Sequence, residues 1–192
     1  ISKLDIQSRS LTALNISGAT ALNTLDCHSN QLTALDVTKN TALTELRCAY
    51  NRLPALEVSN NTMLTLLWSD SNPLTAIHVT KNTALIDLRC YSNQLKALDV
   101  TKNTVLYSLD CYSNRLTALN VSMNTALRYI DCKSNFLNFA TLPIKQTAWT
   151  TYTYRPQEAL ILPKKNYTFS ETIDLSSQLT ANGNITAYVL KT

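Results

Sequence analysis

Glycine is nearly missing from this chain: Gly18 and Gly183 are the only two in 192 residues. A glycine-rich phosphate-binding loop needs several within one turn, so that class of nucleotide site is excluded. An excess of one charge is missing too. Lys and Arg number 17 against 13 for Asp and Glu, a formal net charge of +4, and the basic residues form no runs. Nucleic-acid binding therefore lacks its electrostatic footprint. No apolar run approaches the roughly 18 residues of a membrane span, so direct insertion into a bilayer is not expected. There is no basic, apolar leader, and Ile1 reads as the start of a processed or trimmed chain. What the chain does have is apolar content, 45% of its residues, which suits a packed core and excludes wholesale disorder. It also has an odd number of cysteines, five.

Those cysteines expose a period. Cys27, Cys48, Cys90, Cys111 and Cys132 are separated by 21, 42, 21 and 21 residues. Six 21-residue units fill 11–136 without insertion or deletion, and Ser69 holds the cysteine slot of the 53–73 unit, which explains the double gap. One unit reads Leu43-Thr-Glu-Leu46-Arg-Cys48-Ala-Tyr-Asn51-Arg-Leu53. Alternation around Leu46 and Cys48 predicts a short strand with those two side chains inward. The asparagines at 30, 51, 72, 93, 114 and 135, and a second series at 40, 61, 82, 103 and 124, predict hydrogen-bonded turns that take the place of glycine. No useful helical spacing lies between the turns, so the outer side is expected to be extended or 3₁₀-like. Stacked strands put the cysteines in one column roughly 4.8 Å apart, but pointing the same way. A buried ladder of free thiols follows, acting as small hydrophobes. No Cys-x-x-Cys pair suggests a metal, and neither metal nor cofactor is expected.

The unit resembles the leucine-rich repeat L-x-x-L-x-L-x-x-N-x-L with cysteine in the third leucine slot. In its full form, L-T-x-L-D-V-x-x-N-T-x-L-x-x-L-x-C-x-x-N, it is similar to the repeats of the internalin J group of bacterial surface proteins, and to arrays in secreted proteins of Bacteroidetes. The resemblance covers 1–142. It implies a leucine-rich-repeat solenoid with a concave parallel sheet, in a secreted or cell-surface adhesin that binds a host or bacterial protein or glycan. The chain is expected to be extracellular or on the cell surface, monomeric and not an enzyme. Residues 143–192 lose the period and carry strand candidates at Thr150–Tyr154, Ala159–Leu162, Thr172–Leu175 and Ile185–Leu190. They resemble the β-rich cap or immunoglobulin-like module that follows such arrays, and about 50 residues fall short of a complete sandwich of about 100. Capping the open core is the minimum role of this segment.

Residues alternating with the buried Leu and Cys face the concave surface. The central outward column reads Asp5, Asp26, Arg47, Trp68, Arg89, Asp110, Asp131. Both guanidiniums can lie against the indole, and each can also pair with an aspartate. Flanking columns add Leu66, Asp87 and Tyr129 on one side and Asp70, Tyr91 and Tyr112 on the other. Tyr50 stands where the other units have serine. Trp, Tyr and Arg dominate binding energy at interfaces, so Trp68, Arg47, Arg89, Leu66, Asp70, Tyr91, Tyr112 and Tyr50 are the candidate ligand-binding set. The competing reading is a self-neutralising charge ladder on a structural spacer that projects other domains. His28 lies beside Asp26 without an outward nucleophile, and Lys39, Lys81 and Lys102 form an outer, solvated stripe.

Overall fold

Each repeat supplies one inward apolar side chain between two outward ones, which is the smallest pattern that defines a strand face. The computed structural model describes residues 1–138, 141–155 and 157. Its strands are β1 (Lys3–Asp5), β2 (Thr24–Asp26), β3 (Glu45–Arg47), β4 (Leu66–Trp68), β5 (Asp87–Arg89), β6 (Ser108–Asp110), β7 (Tyr129–Asp131) and β8 (Thr151–Thr153). They form one parallel sheet in chain order. Like positions pair throughout, as in Leu46↔Leu67 and Arg47↔Trp68, so every repeat position becomes a column across the sheet. This is the expected leucine-rich-repeat solenoid.

The inward columns are dry. Leu25, Leu46, Leu67, Leu88 and Leu109 are fully buried, as are all five cysteines and Leu32, Leu53, Leu74, Leu95 and Leu116 behind them. Burying a leucine side chain contributes about 1.5–3 kcal/mol. No single repeat encloses its own apolar face, so that stabilisation depends on stacking. The cysteines are free thiols. Burial first, then the charge of Asp26, pushes Cys27 up to about 12, and burial followed by Asp131 does the same to Cys132.

Two asparagine ladders replace glycine at the turns. Asn51 donates from Nδ2 to the carbonyls of Cys27 at 3.0 Å and Cys48 at 3.1 Å, while its Oδ1 accepts the Leu32 amide at 2.9 Å. One side chain thus satisfies backbone groups of two repeats at once. In the second ladder Asn61 donates to the carbonyls of Val37 and Asn40, at 3.0 and 2.8 Å. The outer side runs through turns closed by i→i+3 bonds such as Asn40 N–H to Val37 O (3.0 Å) and Leu43 N–H to Asn40 O (3.1 Å). These are isolated turns with 3₁₀-type hydrogen-bond spacing, in keeping with the extended or 3₁₀-like outer side expected. The serine column beside the strands has positive φ in every repeat, from 51° to 56°.

The strand expected at Thr150–Tyr154 forms and joins the repeat sheet as β8, one residue later than a strict 21-residue period. Gln157 takes over the ladder position. Its Oε1 accepts the Asn135 and Leu137 amides, both at 3.2 Å, and its Nε2 donates to Cys132 O at 2.9 Å. Trp149 is buried at this end with its ring edge-on to Tyr152, 5.1 Å between centroids. The strands expected at Ala159–Leu162, Thr172–Leu175 and Ile185–Leu190 lie outside the described residues. Among the described residues no helix is long and apolar enough to cross a membrane.

Candidate functional site

Because the register is constant, outward side chains of adjacent repeats stack at strand spacing, and a large residue in one repeat meets those on either side. Trp68 is the large one. Arg89 lies over its ring at 4.0 Å from the centroid and Arg47 at 4.9 Å, so the indole is held between two guanidiniums. Both cations are neutralised from within their own strands. Arg47 pairs with Glu45 at 2.8 Å, and Arg89 approaches Asp87 at 3.6 Å. Asp87 Oδ2 also accepts the indole N–H of Trp68 at 3.0 Å. The arginine sandwich forms as the columns predicted. The acids come from along the strand, two residues before each arginine, rather than from the aspartates of the central column. Trp68 is consequently half-buried under its neighbours.

A second cluster adjoins it. Asp70, two residues beyond Trp68, is only 2% exposed and lies below Tyr50 and Tyr91. The Tyr91 hydroxyl donates to its carboxylate, and the Tyr50 and Tyr91 hydroxyls are 3.4 Å apart. Asp70 Oδ2 is buried without a hydrogen-bond partner among the described residues. Burial raises the Asp70 carboxyl above its ordinary value, although the Tyr91 hydrogen bond and the charges of Arg89 and His28 oppose it. Burial also raises the Tyr91 phenol, reinforced by its bonds to Tyr50 and Asp70. Tyr91 stacks on Tyr112 at 4.3 Å and 7° between planes. The Lys133 ammonium covers the far side of Tyr112 at 4.6 Å while pairing with Asp131 at 2.8 Å.

Tyr50 differs from the rest. It is 54% exposed and has φ 53°, in a slot where other repeats have serine. The left-handed backbone is common to this slot in every repeat, so it is the bulky side chain, not the backbone, that sets Tyr50 apart. Leu66 is half-buried between Glu45 and Asp87 of the neighbouring strands. The eight candidate residues therefore lie on four consecutive repeats, as two touching clusters around Trp68 and around Asp70–Tyr91. Asp70 is the exception to the expectation that this face is outward and accessible, because Tyr50 and Tyr91 close over it.

The columns overlooked Glu45 and Lys133, whose roles arise from pairing along a strand rather than across the sheet. They also overlooked Tyr107, which is exposed beside Ile86 and meets Tyr129 at 5.3 Å between ring centroids on the strand-entry rim. The residue before each strand, Thr65, Ile86, Tyr107, Arg128, is the column in which that signal stood.

Charge on this face opposes that of the chain. Asp5, Asp26, Glu45, Asp70, Asp87, Asp110 and Asp131 share it, among the described residues, with five lysines and arginines, Lys3, Arg47, Arg89, Lys133 and Arg155. The whole chain has a formal net charge of +4. Asp110 is raised as well, first by burial, then by Asp131 and Asp87, with Arg89 opposing. His28 Nδ1 is 2.6 Å from Asp26 Oδ1, so its partner is a carboxylate and not a nucleophile. Among the described residues no cluster of three or more His, Cys, Asp or Glu is arranged to hold a metal ion.

A stack of short parallel strands, asparagine-clamped and cysteine-lined within, defines a leucine-rich-repeat solenoid. Solved structures agree. The functional domain of internalin J from Listeria monocytogenes, which includes a cysteine ladder, is 32% identical over 93% of this chain and 42% of that one, with a TM-score of 0.64. Internalin InlF of the same species (22% identity, 77% and 44% of the two chains, TM-score 0.62) shares the fold, as does a leucine-rich-repeat protein of Leptospira interrogans (18%, 80% and 48%, TM-score 0.63). No protein-family model and no curated protein matches the chain. The chain is an internalin-like leucine-rich-repeat protein. It spans less than half the length of each of these solved chains.

Proposed function

We propose that this chain is a binding module of a secreted or cell-surface adhesin, and that it holds a host or bacterial surface protein or glycan on its concave sheet around Trp68. The observation that carries the reading is the concentration of interface-type side chains. Arg47, Trp68 and Arg89 form one contiguous group, and Tyr50, Tyr91 and Tyr112 form another beside it, on four consecutive repeats. Solenoid packing requires none of them, and Trp, Tyr and Arg are the residues that carry binding energy at interfaces. The fold supports protein binding in general, and catalysis has no constellation on this face to support it. One observation favours the second reading, a spacer that projects other domains. Both faces of Trp68 are covered by the chain's own arginines, which are themselves neutralised. A screen against mucins, host glycoproteins and bacterial surfaces, run with the native chain and a Trp68→Ala/Arg89→Ala double variant, separates the two. Native binding that the double variant loses supports the concave site. Equal binding by both overturns it, and binding by neither favours the spacer.

A further inference from the structure

Three of the cations on the concave face share one kind of seat. Arg47 sits on the Glu45 carboxylate and the Trp68 ring. Arg89 uses Asp87 and the other side of Trp68. Lys133 uses Asp131 and Tyr112. Each seat combines a carboxylate with an aromatic ring, the pairing in which charge attraction and the ring quadrupole act on the same cation.

One seat of this kind has no cation of its own. Asp70 lies beneath Tyr50 and Tyr91, and no lysine or arginine among the described residues is within ion-pair distance of it. Its Oδ2 is buried and unpartnered. A buried carboxylate left in that state is costly, and a native structure that retains one calls for an explanation. The packing offers none, because the small residue Ala49 occupies the same column one repeat earlier and is buried just as readily. Tyr50 is the exposed part of the cover. It is more than half exposed, joined to Tyr91 by a long 3.4 Å contact, and stands where serine suffices elsewhere. The acidic excess of the face, on a chain of opposite net charge, would draw in the same kind of ligand.

We infer that the concave site recognises a cationic protein segment, one of whose lysine or arginine side chains displaces Tyr50 and seats on Asp70 against Tyr91. The inference rests on the concave-site reading and adds the chemistry of its partner. Acidic glycans and acidic peptides would meet repulsion on this surface.

The test uses the full chain with two fluorescent probes, hexalysine and hexaglutamate peptides, followed by anisotropy at fixed low salt. Hexalysine is expected to bind, and Asp70→Asn to weaken it about tenfold or more, as loss of one partner of a desolvated charge pair does. Tyr50→Lys keeps Asp70 and places a tethered ammonium over it, and is expected to weaken hexalysine comparably. Asp36→Asn, on the outer side, should change it less than about twofold. Hexaglutamate should not bind. Insensitivity of hexalysine to both Asp70→Asn and Tyr50→Lys, or an equal loss with Asp36→Asn, overturns the seat. Absence of hexalysine binding overturns it too. Trp68→Ala keeps the two readings apart. If it weakens binding of either peptide while Asp70→Asn does not, the concave site stands and the cation seat falls.

Discussion

Leu88 and Arg89 are neighbours on β5, yet they belong to two different surfaces. The column through Leu88 reads Leu4, Leu25, Leu46, Leu67, Leu88, Leu109, Ile130, and hardly varies over seven repeats. The column through Arg89 holds Asp, Arg and Trp, and changes at its centre. Seven copies of one unit within one chain make this an internal comparison. Where every copy must meet an identical neighbour above and below, one residue type wins. Where a copy meets only solvent or a ligand, it is free to differ. Variation between repeats, rather than any single residue, therefore marks the surface available for recognition. The 53–73 unit is where the outward column and the thiol ladder break together, with Trp68 in the one and Ser69 in the other.

The sharpest way to break the comparison is chemical. Inward thiols are dry, and burial holds Cys27 and Cys132 at about 12 and pushes the other three well above the ordinary thiol value. Only the thiolate reacts. A cysteine placed outward on β6 by Ser108→Cys should react with a thiol reagent near pH 8 more than about a thousandfold faster than Cys111, three positions along the same chain. Mass spectrometry after timed labelling counts the sites. Five further thiols should appear only on denaturation. Fast native labelling of the ladder, or fewer than five further thiols, would contradict the packing described.

The next effect is energetic. Leu88→Ala removes a fully buried side chain and leaves a cavity, with an expected loss of about 3 kcal/mol. Arg89→Ala, one residue on, removes a half-exposed cation and should cost within about 1 kcal/mol. Urea denaturation of the two variants checks this. Similar losses would mean that the Trp68 sandwich is part of the scaffold, which is the spacer reading in energetic form.

Most of the solenoid was legible because its causes are periodic. Leu, Cys and Asn recur every 21 residues, and each recurrence reports one inward contact or one backbone clamp. The extended, turn-rich outer side followed from the lack of helical spacing. The eighth rung was harder to read, since Gln157 replaces the asparagine and the strand comes one residue late. The site was legible as columns but not as contacts. Trp68 between two arginines could be read across the sheet. Glu45, Asp87 and Lys133 act along single strands, at i and i+2, where the column view does not look. Burial of Asp70 was hidden as well, because it depends on Tyr50 leaning over from an adjacent column.

A smaller effect tests the broken rung. Ser69 is fully buried, and its hydroxyl makes one long 3.4 Å hydrogen bond to Arg89 O. The slot accepts cysteine in five other repeats. Ser69→Cys exchanges a poorly satisfied hydroxyl for a larger apolar thiol and should stabilise the chain by about 0.5–1 kcal/mol in the same urea assay. Destabilisation instead would show that the repeat under Trp68 is built to a tighter spacing than its neighbours.

The smallest effect concerns the outward face and its pH dependence. Burial raises Asp70, so the folded chain binds that proton more tightly than the unfolded chain, whose value is about 3.9. Stability from this group is therefore full below that value and is lost as pH rises through the folded one. Asp36, Glu57 and Asp99 have the opposite sign. Their hydrogen bonds to Thr38, Ser59 and Thr101 lower them, and what they contribute is present at neutral pH and lost on acidification. Asp70→Asn removes only the unfavourable ionisation. The variant should be more stable than the native chain near pH 7, and the gap should close toward about pH 3, where native Asp70 is itself protonated. A constant gap at both pH values would assign the difference to packing or to the Tyr91 hydrogen bond. A gap that closes identifies a carboxylate kept at a cost to folding, which an inward position would never retain.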